Sequence, residues 1–106
     1  MLDYAVASSG ANHLGFNAVV TDIGLGGLQL RARQGIVIGT PIRIQVGRLD
    51  LPPLTLRGEV RHCEIVPGSD LYSMGIRFTP ESHEERMAIA EYVHSVFQRQ
   101  CDLLSP

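Results

Sequence analysis

His62 and Cys63 are adjacent, and a histidine beside a thiol is the pairing that activates a cysteine nucleophile. Their surroundings read as a β-strand, where consecutive side chains point to opposite faces. The two groups therefore cannot share a hydrogen bond, and the pair is expected to be ordinary strand residues. His83 and His94 lie on nearly one face of a helical segment, but about 16 Å apart along its axis. Ligands of one metal ion sit about 2 Å from it, so these histidines cannot share one. Glu84 and Glu85 suit the first turn of that helix, where carboxylates offset the helix dipole. No second carboxylate can be assigned to their vicinity for acid–base chemistry. No catalytic residue, metal site or resident cofactor is expected, and the chain does not read as an enzyme.

The glycine-rich run Gly24-Leu25-Gly26-Gly27 is the next candidate. It fails as a dinucleotide fingerprint, because the third glycine of G-x-G-x-x-G would fall at Gln29 and a strand follows where a helix N-terminus is needed. Its simplest reading is a tight strand-to-strand turn in which glycines adopt positive φ. The nine cations are all arginine, and seven of them lie between Arg31 and Arg77 against four acids, Asp50, Glu59, Glu64 and Asp70. The middle of the chain is thus mildly basic although the net charge is −2. Arginine offers a planar fork of donors that matches phosphate and guanine edges.

The elements that must position these residues are mostly strands. Asp3–Ala7, Leu28–Arg33, Ile42–Val46, Leu54–Arg61 and Tyr72–Phe78 read as alternating strands, and Phe16–Thr21 also reads as a strand. Turn signals separate them: Ser8-Ser9-Gly10-Ala11-Asn12-His13, the glycine run at 24–27, Gly39-Thr40-Pro41, Leu51-Pro52-Pro53, and Pro67-Gly68-Ser69-Asp70. Short strands at regular spacing predict a closed barrel, which leaves no exposed edges. The expected core is Val20, Leu28, Leu30, Ile42, Ile44, Val46, Leu56, Val60, Met74, Ile76 and Phe78, with Arg43 and Arg57 outside.

One helix follows, starting near residues 80–84. Ser82-x-x-Glu85 has capping-box spacing, and Thr79 before Pro80 is a competing cap. Met87, Ala90, Val93, Phe97 and Cys101 recur at helical spacing, widened by Ile89 and Val96. Met87, Val93 and Phe97 are expected to contact the barrel or a second copy of the chain. The division is one domain over residues 1–106, with the barrel over about 3–79 and the helix over about 80–102. Two cysteines at this length make no disulfide framework, and no signal or membrane-spanning segment is read, so a cytoplasmic protein is expected.

Val20-Thr21-Asp22-Ile23-Gly24-Leu25-Gly26-Gly27-Leu28-Gln29-Leu30 resembles the V-x-D-I-S-x-G-G-x-x-L run of the PilZ domain, with its (D/N)-x-S-x-x-G motif. Gly39–Ile44, Gly58–Arg61 and Met74–Phe78 resemble, in order, the family's G-x-x-v-x-i, G-x-V-v and l-G-v-x-F strands. The resemblance covers about residues 4–98. It implies a six-stranded antiparallel barrel with one C-terminal helix, and a bacterial receptor module for cyclic di-GMP. It assigns Asp22, Gly24 and Gly27 as candidate cyclic di-GMP-binding residues. Two features depart from the family. Gly24 stands where its motif has serine, and no arginine occurs before Arg31, where the family places the R-x-x-x-R segment that grips guanine and phosphate.

Three readings follow. In the first, this is a regulatory module with weak or absent nucleotide binding that acts through a protein partner or an adjoining domain, or as a homodimer through its helix. In the second, it is a competent receptor domain of a longer protein, such as a cellulose synthase-type glycosyltransferase, whose upstream arginines complete the site. In the third, it is a small barrel for single-stranded nucleic acid, using outward Arg31, Arg33, Arg43, Arg57 and Arg61. Against the third, its aromatic residues do not interleave with those arginines in the sequence, as base stacking requires.

Overall fold

The computed structural model describes residues 3–9, 15–48 and 51–104. Six strands, β1 (Asp3–Ser9), β2 (Phe16–Ile23), β3 (Gly27–Ala32), β4 (Pro41–Arg48), β5 (Leu51–Ile65) and β6 (Tyr72–Phe78), precede one helix, α1 (His83–Leu104). Every strand pairing is antiparallel, and the strands close in the order β1-β2-β3-β6-β5-β4, with β4 returning to β1. The strand β6 thus inserts between β3 and β5. Period-two alternation sends one side-chain row of each strand inward, and all eleven residues expected in the core are buried. Arg43 is exposed and Arg57 faces outward onto the helix, where its guanidinium meets Glu81 at 3.3 Å and Glu85 at 3.0 Å.

Every strand but β6 has a boundary that differs from the one read in the sequence, and β2 runs on to Ile23, so Asp22 and Ile23 belong to the strand and not to the turn. Ser8 and Ser9 complete β1, because they pair with Arg43 and Ile42 of β4. The remainder of the turn expected over residues 8–13 lies outside the described residues. Leu51-Pro52-Pro53 does not break the chain but opens β5. A register shift between Val46 and Arg48 relaxes the ladder there, and prolines are tolerated at the start of a strand. The Arg48 guanidinium then donates to the Pro52 carbonyl through Nε at 2.9 Å and Nη2 at 2.7 Å. The far end of β5 runs on to Ile65, since Glu64 and Ile65 pair with Ser73 and Tyr72 across the hairpin. The expected turn at residues 67–70 closes that hairpin, with Gly68 at φ 76°.

The helix begins as its capping box directs. Ser82 Oγ accepts from the Glu85 amide at 3.2 Å, while the Glu85 carboxylate reaches back to the Glu81 amide. Its buried face is not the one expected. Ile89, Tyr92, Val93 and Val96 join the barrel core, whereas Met87 is 56% and Phe97 50% exposed. Of the three residues expected to contact the barrel or a second copy of the chain, only Val93 is buried against the barrel.

Polar ties select this rotation of the helix. Asp3 at the start of β1 accepts from the Tyr92 hydroxyl at 2.6 Å and from both terminal nitrogens of Arg99, at 3.0 and 2.8 Å. Arg48 holds Glu91 at 2.7 Å, and Arg57 holds the first turn. Turning the helix to bury Phe97 would break all of these and bring charge toward the core. Phe97→Ala should therefore cost only about 1 kcal/mol, because the ring is half in water already. Urea denaturation measures this, and a loss of several kcal/mol would mean that the ring is buried in solution.

Candidate functional site

Asp22, Gly24 and Gly27 meet at one cleft of about 380 Å³ on the outer surface of the barrel, at the β2–β3 turn. A register shift after Val20 leaves Thr21 as an extra residue, so Asp22 aligns with Gln29 and turns outward. One oxygen of its carboxylate accepts from the Ile23 amide at 2.9 Å, which holds the group in place. The turn is closed by the Gly24 amide donating to the Gly27 carbonyl at 2.9 Å. It is anchored to the end of β6 by the Phe78 amide donating to the Gly26 carbonyl, also at 2.9 Å.

The strand order then builds the rest of the cleft. Asp22 lies beside Gln29, Gln29 beside Gly75, and Gly75 beside His62, so four strands contribute one continuous row. Gly75 has no side chain, and the His62 imidazole leans over it. A second row sets Gly27 beside Arg77 and Arg77 beside Glu59. Arg61 and Arg77 line the same cleft as the three turn residues. Arg61 is held by Glu59 at 3.3 Å, while Arg77 makes no ion pair among the described residues. Two guanidiniums and one carboxylate around a glycine-floored surface have the chemistry to meet an anionic, hydrogen-bonding group close to the backbone.

Sequence reasoning assigned the turn but missed Arg61, His62 and Arg77. His62 and Cys63 do diverge as strand neighbours: His62 is exposed over the cleft, while Cys63 packs against the core. The glycines also play a different part from the one expected. Among the described glycines, positive φ occurs at Gly39 and Gly68 and not at Gly24, Gly26 or Gly27.

Arg31 and Arg33 lie elsewhere, in a broader groove of about 870 Å³ with Tyr4, Phe16 and Gln34. Two aromatic residues thus do meet arginines in space, contrary to the reading of the sequence. Only Tyr4 is exposed, since Phe16 packs against the core. One free ring is a short platform for stacked bases. Among the described residues no three His, Cys, Asp or Glu side chains gather as metal ligands, and no helix is long and apolar enough to cross a membrane.

Comparison with known proteins agrees with this fold. The family model described as PilZ domain matches residues 2–95. A search of curated proteins finds no match. Among solved structures, the PilZ domain of YcgR from Escherichia coli with c-di-GMP is similar at a TM-score of 0.75 and 12% identity, over 96% of this chain and 87% of that one. The apo structure of K. pneumonia MrkH is similar at a TM-score of 0.75 and 11% identity, over 94% of this chain and 49% of that one. The chain therefore spans about half the length of MrkH. At such identities the likeness to solved structures is one of fold.

Proposed function

The chain belongs to the PilZ domain family, and from that premise we propose that it is a non-enzymatic regulatory module of bacterial cyclic di-GMP signalling, working in the cytoplasm. The observation that carries the reading is the convergence of Asp22, Gly24 and Gly27 with Arg61 and Arg77 on one cleft. The Asp22 carboxylate can accept from a guanine edge, and the small turn residues let the ligand approach the backbone. Arg61 and Arg77 can meet the phosphates.

Binding by this chain is weak in the proposed reading. No arginine occurs between Met1 and Arg31 to match the family's arginine segment. Each charge-assisted contact omitted is worth about 1.5–3 kcal/mol, so two together account for orders of magnitude in affinity. Arg61 is partly neutralised by Glu59, which leaves Arg77 as the better donor. The module would then exert its effect through a protein partner or an adjoining domain.

The fold does have room for the missing half. Asp3 pairs with Val20, two residues from Asp22, so the start of β1 lies near the cleft. Titration calorimetry with cyclic di-GMP should show no binding at low micromolar concentration for this chain. An N-terminal extension carrying two arginines four positions apart, combined with Gly24→Ser, should bring binding into that range. Space for the serine exists, because a Cβ on Gly24 meets no atom within 4 Å. Tight binding by the unmodified chain would overturn the weak-binding reading. A well-folded graft that stays silent would overturn the assignment of the cleft.

A further inference from the structure

We propose that α1 pairs two copies of this chain as a short parallel coiled coil, through a seam separate from the face that docks on the barrel. Met87, Ala90, His94, Phe97 and Cys101 are spaced three, four, three and four residues apart, the spacing of the a and d positions of a two-stranded coil. All five are exposed, with Met87 at 56% and Phe97 at 50%. At 100° per residue they fall within an arc of about 80°, and its centre lies about 130° from that of Ile89, Tyr92, Val93 and Val96. One helix thus carries two apolar stripes. The barrel uses the second, and the first lies on the exposed side of the helix.

A second copy is the occupant that this face describes. Coiled-coil spacing suits another long helix, and α1 is the one helix of the described residues, with 22 residues. In a parallel pair, the position preceding an a residue meets the position following a d residue of the partner, five residues further on. That sets Arg86 against Glu91 of the other copy, an attractive pair made twice by the two-fold axis. Glu91 can serve both cations, since Arg48 occupies its Oε1 at 2.7 Å and its side chain remains 56% exposed. Arg86 forms no ion pair within the chain among the described residues. Ala90 and Arg86 stand at the edge of this seam nearest their own barrel, where they line a cleft with Leu25, Arg77 and Phe78. His94 takes an a position, where a polar residue favours one register and two strands at a cost in affinity. This pairing does not depend on whether the cleft binds a nucleotide.

The test is sedimentation equilibrium on the whole chain over a concentration series, in a Cys63→Ser background that leaves Cys101 as the only thiol. The protein should pass from monomer to dimer as concentration rises. His94→Leu should tighten the dimer at least about tenfold. The double change Met87→Glu with Phe97→Glu should abolish it while the circular dichroism spectrum and the melting temperature of the monomer hold, which separates pairing from folding. In a parallel pair in register the two Cys101 side chains face each other, within disulfide reach of about 6 Å between Cα atoms. Mild oxidation should therefore link the dimer covalently. A monomer at every concentration, with His94→Leu monomeric too, overturns the proposal. A dimer that survives the two glutamates, or that does not cross-link through Cys101, overturns the seam or its direction.

Discussion

Tyr92→Ala should lower the stability of this protein by about 3–5 kcal/mol, a large part of what a domain of this size has. The ring is 1% exposed and is the largest of the fully buried side chains. It sits where the helix closes the barrel, among the buried side chains of the core. The change also removes the hydroxyl that donates to Asp3 at 2.6 Å, although the Arg99 fork stays on that carboxylate. Tyr92→Phe keeps the ring and loses only the hydrogen bond, so its expected cost is about 1–2 kcal/mol. Urea midpoints of the two variants separate packing from hydrogen bonding. Equal losses would mean that the Asp3 contact, and not the ring, holds the helix down.

The same residue makes a pH dependence with a definite sign. Burial first, and then the hydrogen bond to Asp3 and its negative charge, push the Tyr92 phenol well above its ordinary value of 10.0. Below that value the phenol is protonated in both the folded and unfolded chains, and its contribution is fully present. Above about pH 10 the unfolded chain releases the proton while the folded chain keeps it, so the unfolded state gains. Stability should fall as pH rises from about 10 towards the folded value. Tyr92→Phe should remove that part of the alkaline slope. An identical slope in the variant would place the effect elsewhere.

The second large effect belongs to Gly27, at the cleft. A Cβ built on this residue collides with the carbonyl oxygen of Ile76, on the neighbouring strand β6. That atom belongs to backbone already paired across the ladder, so it cannot move aside as a flexible side chain can. Gly27→Ala should therefore pry β3 from β6 and cost about 3 kcal/mol. Gly24→Ser, three residues away in the same turn, should stay within about 0.5 kcal/mol of the parent, because its Cβ would meet open space. Thermal melts of the two variants make the comparison. If both are neutral, the close approach at Gly27 is not the reason for a glycine there. If both destabilise, the turn needs its glycines for a conformation absent from this structure.

Those two glycines show where local pattern stops being informative. A glycine-rich turn between two alternating segments is legible in the sequence, and so is the family motif it carries at Asp22, Gly24 and Gly27. The reason for each glycine is not legible. One is required by the backbone of a strand nearly fifty residues away, and another by nothing close by.

Alternation along a strand is a property of its own residues, since successive side chains must take opposite faces. The inward row from Val20 to Phe78, the outward Arg43 and the closure into a barrel with one helix could therefore be read without any knowledge of which strands pair. The helix cap at Ser82 and Glu85 is local in the same sense. Strand order is not local. Because β6 lies between β3 and β5, Arg61 and Arg77 arrive beside a turn far from them in the chain, and only their outward parity in the sequence hinted that they were available. Helix rotation is not local either. The sequence of α1 contains two apolar stripes, and periodicity alone cannot rank them. The tertiary structure decided between them through Asp3, Arg48 and Arg57, whose partners Tyr92, Arg99, Glu91 and Glu85 can all be reached only when Phe97 faces out.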